Sequence, residues 1–404
     1  MSSAISPRPV LFQLPEPQRP SAFSPEFTFL LACCANASPI ERVERIRENN
    51  SLDWKLLLDL AEHHGVIPQL YLSLAAFHDA VPSDSFEALR HSQQNNARQT
   101  LWLTRELLRI LEKLDTYGIA ALPYKGPILA EILYGNVTMR QFSDLDLLIH
   151  SSDLPRIKSA LAELGYEPGI ELTEREHRDY LKSGYEYTFD GPQGRNLVEV
   201  QWRILPRFYC VDFNVDGFFH RSVTSSLSGT TLRTLSSEDL MLVLCVHAAK
   251  HAWQQLSWLC DIAQLPRSQI DWSEVREQAE HLGIQRIVDV TLVLAHKLLG
   301  TPFPEIQRGS PSKLRLSGSF TSTENLANEI IPTLAAGADY NTESIPYFRL
   351  MIRVRERWRD RVKFLWRLIF TSSIAEWSTI RLPSPLFPLY RVVRILRLIS
   401  RLFS

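Results

Sequence analysis

Several absences narrow what this chain can be. The 404 residues contain only five cysteines, Cys33, Cys34, Cys210, Cys245 and Cys260. Their number is odd, they are scattered, and no two are spaced CxxC. That argues against a disulfide frame or a thiolate zinc site, and for reduced thiols in the cytoplasm. No uninterrupted apolar run approaches the roughly 20 residues needed to span a bilayer. The first 26 residues hold six prolines and no apolar stretch of the kind a secretory leader needs. Charge of one sign is also missing overall. The formal net charge is −1, which indicates no stable nucleic-acid partner. There is no internal repeat and no heptad array.

What is present is an ordinary globular composition, 45% hydrophobic and 22% charged, long enough for two or three domains. Residues 1–25 read as a disordered, proline-rich lead. Residues 26–115 read as helical: Asp53 is a candidate N-cap, Gly65 follows the His63-His64 pair as a C-cap, and Gln93–Leu114 is amphipathic. Over residues 116–235 the period changes. A short strand, Ile119–Tyr124, leads into Lys125-Gly126 and a helix over Ile128–Tyr134. Ser143–Ile149 is a second strand, and a helix starts at Asp153-Leu154-Pro155. Tyr185–Phe189 and Asn196–Ile204 form a hairpin across the turn residues 190–194. Residues 236–404 read as helical, with helices from Ser237, over Ser273–Leu282, over Gln285–Leu299 and, rich in basic residues, over Tyr347–Ile369. Residues 305–325 read as a loop. The fold class expected is α+β, a small mixed sheet flanked by helical regions.

The chemistry concentrates around Asp144-Leu145-Asp146. In a strand, residues two apart share a face, so both carboxylates project together while Leu145, Leu147 and Ile149 point to a core. Two adjacent carboxylates repel unless a cation lies between them, and hard oxygen ligands suit Mg²⁺ or Mn²⁺. Glu199 lies on the polar face of the later strand. If the two strands are neighbours, Asp144, Asp146 and Glu199 form a metal site for phosphoryl transfer. Lys125 and Gly126, ahead of a helix N-terminus, combine a cation with free N–H groups, which suits phosphate. Arg140, four residues before Asp144, and Ser143 could reach the same phosphates. Each part is common alone. Asp-x-Asp also serves glycosyltransferases that use nucleotide-sugars, Lys-Gly-Pro is usually a plain turn, and a lone Glu199 is usually a solvated strand residue. Their order along the chain is what raises the signal.

Residues Tyr124–Ala130, Leu133-Tyr134-Gly135, Arg140 and Asp144–Leu148 resemble the bacterial "uncharacterised nucleotidyltransferase" family, within the DNA polymerase beta-like superfamily. So do Val198–Trp202, His247–Trp253, Trp258–Ala263 and Leu382-Pro383. The resemblance implies transfer of a nucleoside monophosphate from an NTP to an acceptor hydroxyl, with release of pyrophosphate. Asp144 and Asp146 would bind both metals, and Glu199 the catalytic one. Lys125, Gly126, Arg140 and Ser143 would hold phosphates. The chain departs from the wider superfamily in carrying Lys125-Gly126 where Gly-Ser is usual. The acceptor stays open among a small molecule, a saccharide and a protein. Toxin-like nucleotidylation of a protein or RNA, and a non-catalytic nucleotide-binding module at a membrane, are the other readings of the same motifs.

Two features stand outside that core. His247 and His251 are four apart on a helix, as a metal pair would be, with Asp261 as a third ligand. The glutamate that a zincin would place after the first histidine is Ala248 here, so packing or acceptor contacts by His247, Lys250, His251 and Asp261 are favoured. The second feature is charge. From Phe348 to Ser404 there are thirteen Lys/Arg and three Asp/Glu, a local +10 that leaves the rest of the chain at −11. Arg391, Arg394, Arg397 and Arg401 would share one arc of a terminal helix. Residues 386–404 therefore read either as a basic amphipathic helix on an anionic membrane or as a helix docked on the body. The expected location is the cytoplasm, with any membrane contact peripheral.

Overall fold

The computed structural model describes residues 23–35, 52–194, 196–267, 270–303, 320–337, 341, 344–371, 380 and 389–400. Nearly all of the proline-rich lead, most of the loop expected over 305–325, Leu382-Pro383 and Arg401 lie outside the described residues.

Helix α1 (Pro25–Cys34) starts at Ser24, whose hydroxyl accepts from the Phe27 amide. Helix α2 (Trp54–His63) starts as expected at Asp53, whose carboxylate accepts from the Leu56 amide. Glu26 accepts from the Asp53 amide at 3.0 Å and ties the two helix starts together. Helix α3 (Ile67–Ala75) leads to α4 (Ser83–Thr116), 34 residues long and ten residues earlier in its start than its apolar stripe predicts. The reason is polarity: from Ser83 to Ser92 only Leu89 is buried. Further along, Leu103, Leu107, Ile110 and Leu114 form the buried stripe.

Strand β1 (Ala121–Pro123) runs into α5 (Gly126–Tyr134). Gly126 has φ +56°, and a Cβ there would sit 3.3 Å from the Asp144 carbonyl oxygen. Glycine takes both the backbone and the close approach without strain. Strand β2 (Asp144–Ile149), helix α6 (Leu154–Glu163), strand β3 (Glu167–Pro168) and helix α7 (Glu174–Ser183) follow. Next come β4 (Glu186–Asp190) and β5 (Leu197–Gln201), the expected hairpin. The five strands form one sheet in the order β1-β2-β5-β4-β3. β2 and β5 run parallel, with Asp146 beside Glu199.

Both faces of this sheet are covered. Leu145, Leu147, Ile149, Val198 and Val200 belong to a core shared with α4 and α6. The alternate positions, Asp144, Asp146, Glu199, Gln201 and Glu186, lie on the other face. That face also carries Leu122 and Leu148, which join the larger core made with the N-terminal helices and the helices that follow the sheet.

Several elements were not legible in advance. Helix α7 is strongly polar, and its start is fixed by a Thr173/Glu176 capping box. Helix α8 (Val215–Arg221) precedes a second hairpin, β6 (Val223–Leu227) and β7 (Thr230–Thr234), in its own two-stranded sheet. Ser228 and Gly229 at its turn both have positive φ, which suits a tight hairpin. Helix α9 (Ser237–Lys250) begins where expected. Helix α10 (Leu256–Gln264) carries Asp261, which is buried in it. Helices α11 (Trp272–Leu282) and α12 (Gln285–Leu299) match their apolar patterns. Helix α13 (Phe320–Ala335) begins within the stretch read as a loop.

The single basic helix expected over Tyr347–Ile369 is two, α14 (Ile345–Arg353) and α15 (Trp358–Phe370). The break brings Arg355 inside, where it donates to the Tyr209 carbonyl at 2.6 Å and lies 3.9 Å from the centre of the Phe364 ring. Helix α16 (Tyr390–Ser400) packs on α15. Tyr390 and Arg394 are buried, and Arg394 donates to the Leu368 carbonyl. The sequence pattern put Arg394 on one arc with Arg391, Arg397 and Arg401; here it closes a carbonyl in the last turn of α15, where a cation is favoured. Among the described residues no helix is long and apolar enough to cross a membrane.

Candidate active site

The parallel β2–β5 pairing brings the three predicted carboxylates together. One oxygen from each of Asp144, Asp146 and Glu199 lies within 4.8 Å of the others. Asp146 is only 2% exposed. Its Oδ1 accepts from Lys125 Nζ at 2.8 Å and from Gln201 Nε2 at 3.0 Å. Its Oδ2 is buried with no hydrogen-bond partner. The same Gln201 nitrogen donates to Glu199 at 3.0 Å and to Glu186 at 3.3 Å. Gln201 Oε1 accepts from the buried Tyr124 hydroxyl.

The electrostatics follow from this crowding. Burial, then Asp146 and Glu186, push the Glu199 carboxyl up to about 8. Burial and then Asp146 raise Asp144 in the same direction, and burial raises Glu186. Burial works to lower the Lys125 ammonium, but Asp146, Tyr124 and Asp144 outweigh it and hold the group above the ordinary lysine value. Four carboxylates thus face Lys125 and the more distant Lys250, a deficit of positive charge. A cluster of hard oxygen donors with one buried oxygen unpartnered suits a divalent cation such as Mg²⁺ or Mn²⁺.

Of the predicted phosphate residues, Lys125, Arg140 and Ser143 line the same cleft, while Gly126 is buried. Lys125 and Gly126 sit at the start of α5, where the first amides have no intrahelical acceptor. Ser143 is exposed at the head of β2 and lines the cleft. Arg140 also lines it, but its Nε is engaged by Asp261 Oδ2 at 2.9 Å, both side chains being nearly inaccessible. Asp261 Oδ1 accepts from the Tyr134 hydroxyl at 3.0 Å.

Asp261 is therefore tied to Arg140 and Tyr134 and is not grouped with the histidine pair. His247 and His251 have ring centres 4.9 Å apart, and each lies just over 5 Å from the Trp258 ring. Burial, helped by neighbouring cations, pushes His247 well below its usual range and His251 down to about 3, so both rings are neutral. They form an aromatic wall of the cleft with Trp258. Lys250 donates to the Tyr185 hydroxyl at 3.1 Å.

The cleft encloses about 1060 Å³. Part of its lining comes from α2 and α4 and includes Asp59, Glu62, Asn95, Asn96 and Gln99. Sequence reasoning missed Gln201, Glu186, Tyr124 and this amide-rich part of the lining. The hairpin's alternation carried a signal for the first two: Glu186 and Gln201 share the polar face of Glu199. Nothing in the pattern of α4 marked its asparagines.

Three solved structures are similar to part of the chain. One is the solution structure of the antibiotic-resistance factor ANT(2'')-Ia, at 15% identity and TM-score 0.32, over 45% of this chain and 91% of that one. Another is the lincosamide antibiotic adenylyltransferase LnuA with lincomycin bound, at 13% and 0.29, over 41% and 97%. The third is an antigenic nucleotidyltransferase-like protein from Paracoccidioides brasiliensis, at 16% and 0.27, over 48% and 91%. No curated protein matches the chain. The family model described as "Uncharacterised nucleotidyltransferase" matches residues 50–300, well over half of the sequence and the whole of the carboxylate sheet. The chain belongs to that nucleotidyltransferase family.

Proposed function

We propose that this nucleotidyltransferase moves a nucleoside monophosphate from an NTP to an acceptor hydroxyl, releasing pyrophosphate, in a reaction that depends on a divalent metal. The observation that carries this reading is the trio of converging carboxylates with Asp146 Oδ2 buried and unpartnered. Asp144, Asp146 and Glu199 would hold Mg²⁺ or Mn²⁺, which when bound neutralises phosphate charge and makes a coordinated hydroxyl more acidic. Gln201 holds Asp146 and Glu199 in place through one amide. Lys125 and the first amides of α5, with Ser143, supply the positive surface for the phosphates. Arg140 adds a guanidinium whose position is set by Asp261.

The acceptor is assigned to the rest of the cleft. Asn95, Asn96 and Gln99 offer amides to its lining, and His247, His251 and Lys250 line it as well. Such a lining suits a polar, hydroxyl-bearing acceptor. The five cysteines are free thiols, which fits work in the cytoplasm, where NTPs are plentiful.

Replacing Asp146 by Asn keeps the shape and removes the charge. Incubated with labelled NTPs, Mg²⁺ or Mn²⁺ and candidate acceptors, the variant loses transfer by more than about 100-fold while its unfolding temperature stays within a few degrees. Transfer at the wild-type rate would sink the assignment.

A further inference from the structure

Helix α15 has two apolar faces, and the interior accounts for only one. Phe364 (0% exposed) and Leu368 (8%) pack inward. Trp358 (68%), Val362 (56%), Leu365 (40%) and Trp366 (64%) point to solvent. At 100° per residue these four share an arc of about 100°. Helix α16 repeats the arrangement: Tyr390 and Arg394 face in, while Val392 and Leu396 are about half exposed or more. Two tryptophans in an exposed stripe cost hydrophobic free energy in water, and patches of this kind mark contact surfaces.

The stripe is flanked by cations. Arg359 and Lys363 lie along one edge with Arg367 beyond them, and Arg361 lies along the other; Asp360 is the only acid in the helix. Beside Arg367 opens a cavity of about 640 Å³ lined by Arg178, Lys182, Arg203 and Arg207, with Asp212 as its one acid. Burial, then Arg207, lower the Arg203 pKa, as crowding by like charge does. These groups come from α7, from the segment after β5 and from α15, so the basic surface is assembled by the fold.

We propose that the exposed face of α15 and α16, with the adjoining basic cavity, docks on an anionic lipid bilayer surface. Tryptophan is favoured at the membrane–water boundary, and flanking Lys and Arg meet anionic headgroups. A second copy of the chain is the poorer occupant. An isologous dimer would set this face against itself, pressing the flanking Arg359, Arg361 and Lys363 toward their own copies. The contact is peripheral, since no described helix can span the bilayer. The proposal does not depend on the catalytic reading.

The test is flotation of the full chain with vesicles of phosphatidylcholine alone, or of phosphatidylcholine with about one third phosphatidylglycerol. The chain is expected to float with the anionic vesicles, to stay behind with the neutral ones, and to release as salt is raised. Trp358→Ala with Trp366→Ala weakens partitioning at least about tenfold. Arg359→Glu and Lys363→Glu each weaken it at least about fivefold. All these side chains are exposed, and an unchanged unfolding temperature verifies that the variants fold. Absence of flotation with anionic vesicles overturns the proposal, as do variants that float like wild type. Self-association that the tryptophan pair abolishes, without lipid binding, overturns it in favour of a second copy.

Discussion

Gln201 donates one amide nitrogen to three carboxylates, Asp146, Glu199 and Glu186, at 3.0, 3.0 and 3.3 Å. An amide has two hydrogens, so the three share them, and the Tyr124 hydroxyl on Oε1 fixes which way the group points. Replacing Gln201 by Met removes the shared donor without adding charge. Transfer should fall about 10- to 100-fold, as when groups that orient metal ligands are lost, with a weaker response to added Mg²⁺. Steady-state rates over a metal titration would measure this, and unchanged rates would leave the amide no positioning role. The three acids were readable from the order of the motifs along the chain: a strand, Lys-Gly before a helix, the Asp-x-Asp strand and a later strand carrying Glu199. A glutamine on a strand looks solvated until β4 and Tyr124 close around it.

At the scale of elements, the end of α2 carries a titrating group. His64 is fully buried against Phe27 and His63, and its carbonyl accepts from Ser257 at the start of α10. Burial, then His63, lower its pKa to about 4. The folded chain therefore keeps this ring neutral, while the unfolded chain protonates it near 6.5. The stability it secures is complete above about pH 6.5 and is lost as pH falls toward 4, about 3 kcal/mol in total. Urea unfolding followed from pH 7 to pH 4 should show that decline, and His64→Gln should flatten it. An equal decline in the variant would mean other groups cause it. The sequence placed His63-His64 at a helix end, where histidines usually cap carbonyls in solvent. Burial came from α1 and α10, which approach from distant parts of the chain.

Across the whole molecule, the Arg140–Asp261 pair joins the segment before β2 to α10 and so links two walls of the cleft. Each partner is nearly inaccessible, and Tyr134 occupies the second carboxylate oxygen. Asp261→Ala would strand a buried guanidinium and cost about 3–5 kcal/mol. Arg140→Met combined with Asp261→Leu should lose much less, because no charge is left unpaired. Denaturant midpoints of the single and double variants separate these outcomes. A single variant within 1 kcal/mol of wild type would mean water reaches the guanidinium. The two residues lie 121 positions apart, and nothing in their local patterns pairs them. The sequence joined Asp261 to the histidines because both lie near one another along the chain. The fold sends it to Arg140 instead.

Local chemistry determined the elements that build the site. Asp53 starts a helix because its carboxylate meets a free amide, Gly126 takes a left-handed turn that other residues adopt only under strain, and period two puts Asp144 and Asp146 on one face. These are short-range effects, readable wherever the residues involved are close in the chain. The tertiary structure decided the contacts that need distant partners: β5 lying parallel to β2, Gln201 joining the acids, and Arg394 turning inward while Trp358 and Trp366 stay in water. Those outcomes depend on which surfaces meet and exclude solvent, and burial of that kind belongs to the assembled chain.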